Sequence, residues 1–376
     1  MVPLRVLVVD DAVVMRRLLS LVLEEDPDFV VSTAANGRIA LSKLVQTKPD
    51  AVVLDIEMPE LDGLGTLREL RKTHPDLPVI MFSTLTERGA AATFDAMALG
   101  ASDYVTKPAN VGSVNESMDR VRSELVPRIK ALCERRNPSI AAAVQDRAAR
   151  PRPSSGPDQV PPAAQTRCDL VAIGSSTGGP NALHQVLTGL PASLPVPVVI
   201  AQHMPPVFTR LLAERLDNNC AVTVREAFEG AVLRPGEVWI APGDHHLVVR
   251  RDGDQVVLGL NQDPPENSVR PAVDVLFRSV CSVYGRRAMA VVLTGMGADG
   301  QRGCEHLRQA GATILAQDEA TSVVWGMPGA VVGAGLADQI VPLGDVAPAI
   351  VARTAVLRAA PRSITPRPPV VPSLGR

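Results

Sequence analysis

Two α/β domains, each a mainly parallel sheet with helices on both faces, are what this sequence predicts. Three observations carry that expectation. Short β-branched runs alternate with helical patterns over residues 1–132, and again from Cys168 to about residue 358. Between them, residues 136–166 (RNPSIAAAVQDRAARPRPSSGPDQVPPAAQT) are rich in Pro, Ala, Ser and Arg and lack apolar periodicity. A chain of 376 residues is also too long for one typical core.

In the first domain, 1–132, the predicted strands are RVLVV (5–9), FVVST (29–33), AVVLD (51–55), PVIMFS (78–83) and DYVT (103–106). Between the first two, Val14, Leu18, Leu21 and Val22 fall on one helical face. After the fifth, Val114, Met118, Val121 and Leu125 do the same. Five βα units in so short a span imply a doubly wound sheet. Residues 133–166 read as a linker, extended where prolines cluster. The second domain is expected over 167–358, and the tail 359–376 reads as disordered.

Composition narrows the function. The 38 basic and 40 acidic residues nearly cancel, so no nucleic-acid surface is indicated. Five scattered cysteines without a C-x-x-C pair suit a reducing cytosol. The N-terminus, MVPLRVLVVDD, turns acidic where a signal peptide stays apolar, and no stretch approaches the roughly 18 apolar residues of a spanning helix. A cytoplasmic protein is expected.

In a parallel sheet the chemistry sits beyond the carboxyl ends of the strands. Asp10 and Asp11 follow the first predicted strand, Asp55 ends the third, Ser83 the fourth, and Lys107 follows the fifth. One such aspartate alone is better read as a helix N-cap. Three carboxylates on one edge repel unless a hard cation such as Mg2+ neutralises them, and Ser83 and Lys107 can then stabilise an incoming phosphoryl group. The set VVDD, LDIEMP, FS and DYVTKP resembles the receiver domain of two-component response regulators, a flavodoxin-like fold. That resemblance implies Asp55 as phosphoacceptor from a histidine kinase, metal ligation by Asp10, Asp11 and Asp55, and Tyr104 as the switch aromatic.

The second domain opens with CDLVAIGSSTGGPNALHQVLTGL. Gly174-x-Ser176-x-Gly178 between strand and helix is the context of a nucleophile elbow, although an anion-binding turn or a plain N-cap has the same look. A serine nucleophile needs a base and the base an orienting acid. His203 directly follows the strand PVPVVIAQ; His184 and His306 lie in helical patterns, and His245 and His246 in a turn without convincing metal spacing. Later, AMAVVLT runs into Gly295-x-Gly297-x-x-Gly300, with Asp318 lying 18 residues beyond Gly300. That spacing fits a dinucleotide turn. It falls late in the domain, however, and leaves GSSTGG and QHMP unexplained. Asp299 within the loop instead puts Ser176, His203 and Asp299 after three different strands, on one sheet edge.

GSSTGG, QHMPPVFTRLLAERL, RPAVDVLF, LTGMGADG and AQDEATSVVWGMPGA behind a receiver resemble the chemotaxis protein-glutamate methylesterases (CheB). The resemblance implies hydrolysis of γ-glutamyl methyl esters on chemoreceptor signalling helices and deamidation of glutamines there. It matches Ser176, His203 and Asp299 to the triad and the Met296 N–H to the oxyanion hole, with no cofactor in this domain. It further implies that the unphosphorylated receiver covers the cleft, and that membranes are met only through receptors. Position 175 is Ser where that family usually has Ala. A receiver-controlled binding module with a vestigial triad, and a nicotinamide oxidoreductase, are the alternatives.

Overall fold

The computed structural model describes residues 3–108, 114–134 and 167–355. The tail and nearly all of the stretch read as linker lie outside the described residues.

Strands β1 (Leu4–Val9), β2 (Phe29–Ala34), β3 (Ala51–Asp55), β4 (Val79–Ser83) and β5 (Asp103–Thr106) form one parallel sheet in the order β2-β1-β3-β4-β5. Every residue of β3, β4 and β5 is buried, as strands covered on both faces must be. The covering helices are α1 (Val13–Glu24), α2 (Gly37–Thr47), α3 (Gly63–Thr73), α4 (Glu87–Ala98) and α5 (Val114–Glu134). Side chains of Asn36, Asp62 and Thr86 cap α2, α3 and α4 by accepting backbone N–H groups of their first turns.

Two details differ from the sequence expectation. The buried face of α1 is Leu19, Val22 and Leu23, while Val14 is 78% exposed and Leu21 45%. Its first turn stands at the carboxyl edge of the sheet, beyond the layer that would cover Val14. At the other end, α5 runs through Glu134 and buries Cys133, two residues past the expected boundary. Val121 and Leu125 are buried on α5 as expected, with Ile129 continuing the face; the Val114 side chain lies outside the described residues.

The second domain holds β6 (Leu170–Ser175), α6 (Gly179–Thr188), β7 (Val198–Gln202), α7 (Pro206–Asp217), β8 (Thr223–Glu226) and β9 (Glu237–Ile240). An antiparallel hairpin, β10 (His246–Asp252) with β11 (Gln255–Asn261), follows. The chain then continues through α8 (Val273–Tyr284), β12 (Ala288–Val292), α9 (Gln301–Gln309), β13 (Thr313–Gln317), α10 (Met327–Gly333), β14 (Gln339–Val341) and α11 (Leu343–Ala355). Its seven-stranded parallel sheet runs β14-β13-β12-β6-β7-β9-β8. Chain direction across the sheet reverses between β6 and β12, which opens a crevice at their carboxyl ends.

The domains meet through α4 and β5 on one side and α6, α7 and the loop after β13 on the other. Phe94, Met97 and Tyr104 share a hydrophobic cluster with Phe208 and Leu212. Val323 and Val324 pack against the core of the first domain. Polar contacts frame this seam: Arg215 pairs with Asp95 at 2.8 Å, Arg210 with Glu87, and Asn181 Nδ2 donates to the Met97 carbonyl at 3.1 Å.

Candidate active site

The crevice of the second sheet brings His203 and Asp299 into contact and sets Ser176 on the strand beside His203; among the described residues no hydrogen bond joins the Ser176 hydroxyl to His203. Ser175 pairs with Gln202 across β6–β7, and the ladder continues one step outward, where His203 N donates to Ser175 O at 3.2 Å. On the other flank Ser176 N donates to Thr294 O at 3.0 Å, beyond the β12 register. Ser176 and His203 therefore leave adjacent strands at the same level. Neighbouring strand residues face opposite ways. Ser175 accordingly turns into the core and donates to Gln202 Oε1 at 2.7 Å, while Ser176 is half-buried at the crevice.

His203 Nε2 lies 2.8 Å from Asp299 Oδ2. An ionised carboxylate only accepts, so Nε2 carries the proton and Nδ1 is left to accept one. Asp299 also accepts from Val273 N (2.7 Å), Asp274 N (2.9 Å), Gly300 N (2.9 Å) and Asn267 Nδ2 (2.7 Å). Two of these donors are the first amides of α8, whose dipole favours negative charge at that end. Burial works against ionisation of Asp299, but the His203 hydrogen bond, with the Val273 and Asp274 amides, holds its pKa below the ordinary range. The acid is fixed in position and charged.

The glycine loop makes this possible. Gly295 is pinned by its N–H on Val324 O at 3.0 Å and by its own carbonyl, which accepts from Gly326 and Met327. Among the described residues the Met296 N–H has no acceptor, and the preceding Gly295 abuts Ser176, where an added Cβ would stand 2.9 Å from Ser176 Cβ. Asp318 is turned to its own loop, accepting from Thr321 N and Oγ1. His184 and His306 lie in α6 and α9; His246 is buried, bonded to Pro264 O and Ala272 N.

Sequence reasoning missed Gln202, Asn267 and Asp274. Gln202 Nε2 donates to the carbonyls of Ser176 (3.0 Å) and His203 (3.3 Å). Gln202 and Asp274 both stood within quoted motifs, QHMP and RPAVDVLF, but nothing in the spacing gave them a role.

At the first sheet's switch point, between β1 and β3, ligand oxygens of Asp10, Asp11 and Asp55 lie within 4.8 Å of one another. Lys107 Nζ sits 2.9 Å from Asp10 Oδ2 and 2.8 Å from Asp55 Oδ2. Burial pushes the Asp55 pKa up to about 6, against the pull of Lys107. Asp11, Asp55, Ser83 and Lys107 line a cavity of about 270 Å³, although Ser83 Oγ donates to Gly89 O at 3.0 Å. A cluster of carboxylate oxygens with one exposed member suits a hard divalent cation that keeps waters.

Tyr104 lies at the domain seam, and its neighbour Asp103 stands 3.4 Å from the Arg128 guanidinium. A second cavity of about 600 Å³ runs from Tyr104 and Arg128 to His203 and Met204. The first domain thus stands directly over the crevice.

Comparison with known proteins agrees with both halves. The family described as CheB methylesterase matches residues 171–350, and the response regulator receiver domain matches residues 6–119. A protein-glutamate methylesterase/protein-glutamine glutaminase of Trichodesmium erythraeum is 50% identical over 351 residues, covering 93% of this chain and 98% of that protein. One of the same description from a Nocardioides species is 54% identical, covering 94% and 96%. The crystal structure of the Thermotoga maritima CheB methylesterase catalytic domain covers 50% of this chain and 99% of its own at 41% identity, with a TM-score of 0.49.

Proposed function

This chain belongs to the CheB methylesterase family, and from that premise we propose how its residues perform receiver-controlled hydrolysis of protein glutamate γ-methyl esters. Ser176 Oγ attacks the ester carbonyl carbon while His203 Nδ1 takes the hydroxyl proton. The carbonyl oxygen becomes an oxyanion facing the Met296 N–H. His203 returns the proton to the departing methoxide, methanol leaves, and an acyl-enzyme remains. Water then attacks with His203 again as base, which frees the glutamate and restores Ser176. On a glutamine side chain the same steps release ammonia. Asp299 stabilises the imidazolium throughout.

The observation that carries this reading is the 2.8 Å contact of His203 with a carboxylate held by four further donors, one strand from Ser176. A methanol-release assay on methylated chemoreceptor tests it: Ser176→Ala is expected to lose turnover with its fold intact, and retained turnover rejects the triad.

Asp55 is the phosphoacceptor for a histidine kinase. Asp10, Asp11 and Asp55 fit Mg2+, which when bound neutralises their charge and that of the phosphoryl oxygens. Lys107 and Ser83 complete the pocket. Phosphorylation adds roughly 1.5–2 negative charges and shifts the first domain off the crevice through Tyr104. The substrates are methyl-accepting chemoreceptors, met from the cytoplasm. Among the described residues no helix is long and apolar enough to cross a membrane.

A further inference from the structure

We propose that Asn267 is a positioning residue of this site, its side-chain amide setting the rotation of the Asp299 carboxylate that holds His203; this rests on the hydrolase reading above. The amide donates both its hydrogens to buried acids: one to Asp299 Oδ1 at 2.7 Å, the other to Asp274 Oδ2 at 3.0 Å. Asp274 is only 1% exposed and Asp299 3%. The far oxygen of Asp274 accepts Gly303 N at 2.7 Å, which fixes that carboxylate in turn. A planar NH2 group spanning two anchored acids permits one rotation of Asp299. In that rotation Oδ2 is left to His203 and Val273 N.

The backbone supports the same assignment. Asn267 and Ser268 sit at φ +54° and +64°, in the left-handed region that side chains other than Asn and Asp rarely enter. Two consecutive such residues persist only where their surroundings over-determine them. Here Glu266, just before them, is gripped by Arg278 through contacts of 2.7 and 2.5 Å, and Val269 N closes onto Glu266 O at 3.1 Å. The segment is a clamp that presents one amide to two acids. Without that amide no side chain bridges the two carboxylates, and Asp274 Oδ2 loses its donor. Burial and the nearby Asp299 charge already raise the Asp274 pKa, so the pair strongly favours a bridging donor.

Asn267→Gly and Asn267→Asp test this in the full-length protein, with wild type and Ser176→Ala alongside. Glycine suits the left-handed backbone, and aspartate keeps shape and backbone while offering no N–H at neutral pH. Both variants are expected to fold, as judged by thermal unfolding. Methanol release should fall about 100-fold in kcat with KM unchanged, as misplacement of a catalytic group does. The acid limb of the pH–rate profile should move to higher pH, because Asp299 has lost a donor that favoured its charge. The downfield Nε2–H proton resonance of His203 should shift in the free enzyme. Wild-type kcat, pH profile and resonance in either folded variant overturn the proposal while leaving the hydrolase reading intact. A wild type that releases no methanol sinks the hydrolase reading instead, and the imidazole resonance, which needs no turnover, still decides for or against Asn267.

Discussion

The ring of Tyr104 lies flat on that of Phe208, their centroids 4.7 Å apart and their planes 2° from parallel. One belongs to the last strand of the receiver and the other to the helix that follows His203. A movement of Tyr104 is therefore felt at once by the chain segment that follows His203. An aromatic pair contributes about 0.5–1.5 kcal/mol beyond its burial. Tyr104→Ala should then raise methanol release by the unphosphorylated protein about 2- to 10-fold and shrink phosphodonor stimulation correspondingly. An unchanged unphosphorylated rate in a folded variant would show that this stack does not hold the domains together.

A second prediction concerns pH and metal. Asp55 has its pKa raised to about 6 from an ordinary 3.8, chiefly by burial. The folded protein thus holds this proton more tightly than the unfolded chain. The resulting stabilisation is fully present below about pH 4 and is lost as the pH rises through about 6. Mg2+ competes with that proton, so its affinity should drop about tenfold between pH 7 and pH 5. In full-length protein the thermal shift produced by Mg2+ should be larger at pH 7.5 than at pH 5. Asp55→Asn should flatten that difference and abolish stimulation by acetyl phosphate. Equal shifts at both pH values would mean that Asp55 is not where the metal competes.

Strand ends were the most legible part of the sequence. Asp10, Asp55, Ser176, His203 and Asp299 each follow or close a β-branched run, and parallel topology alone sends such positions to one edge. The face of α1 was harder. Its exposed Val13 and Val14 mimic the apolar spacing that Leu19, Val22 and Leu23 actually use. Asn267 and Asp274 stand 32 and 25 residues before Asp299, and only the docking of α8 beside β6 and β12 brings them to it. The Tyr104–Phe208 stack depends on how two domains sit together, which no pattern within either one encodes.

Two adjacent hydroxyls, at 175 and 176, invite confusion over which one reacts. The strand alternation separates them: Ser175 is fully buried and donates to Gln202 Oε1 at 2.7 Å. Ser175→Ala should keep turnover while costing about 1–3 kcal/mol of stability, since Gln202 Oε1 loses its donor. Ser176→Ala should lose about 10⁴-fold or more in kcat at unchanged stability. Comparable losses of turnover in both variants would mean that the nucleophile is misassigned.

The glycine loop after β12 can be tested by contrasting two of its own positions. A Cβ on Gly295 would stand 2.3 Å from Met327 Sδ and 2.9 Å from Ser176 Cβ. Three backbone hydrogen bonds hold Gly295 in place, Met327 is fully buried, and Ser176 is itself held by its N–H on Thr294 O and its carbonyl under Gln202 Nε2, so the clash presses on the backbone that sets Ser176 Oγ. At Gly297 a Cβ would meet nothing within 4 Å, but the backbone there has φ +81°. Alanine at that position pays only the left-handed penalty of about 1–2 kcal/mol. Gly295→Ala should therefore lose about 100-fold in kcat through displacement of the nucleophile, whereas Gly297→Ala should lower the melting temperature with a much smaller loss of turnover. A loop built to cradle a cofactor phosphate would respond differently, because both glycines would then be needed for close backbone approach. Parallel measurement of kcat and thermal unfolding in the two variants separates these cases, and equal losses of kcat at both positions would reject the view that Gly295 is there to seat Ser176.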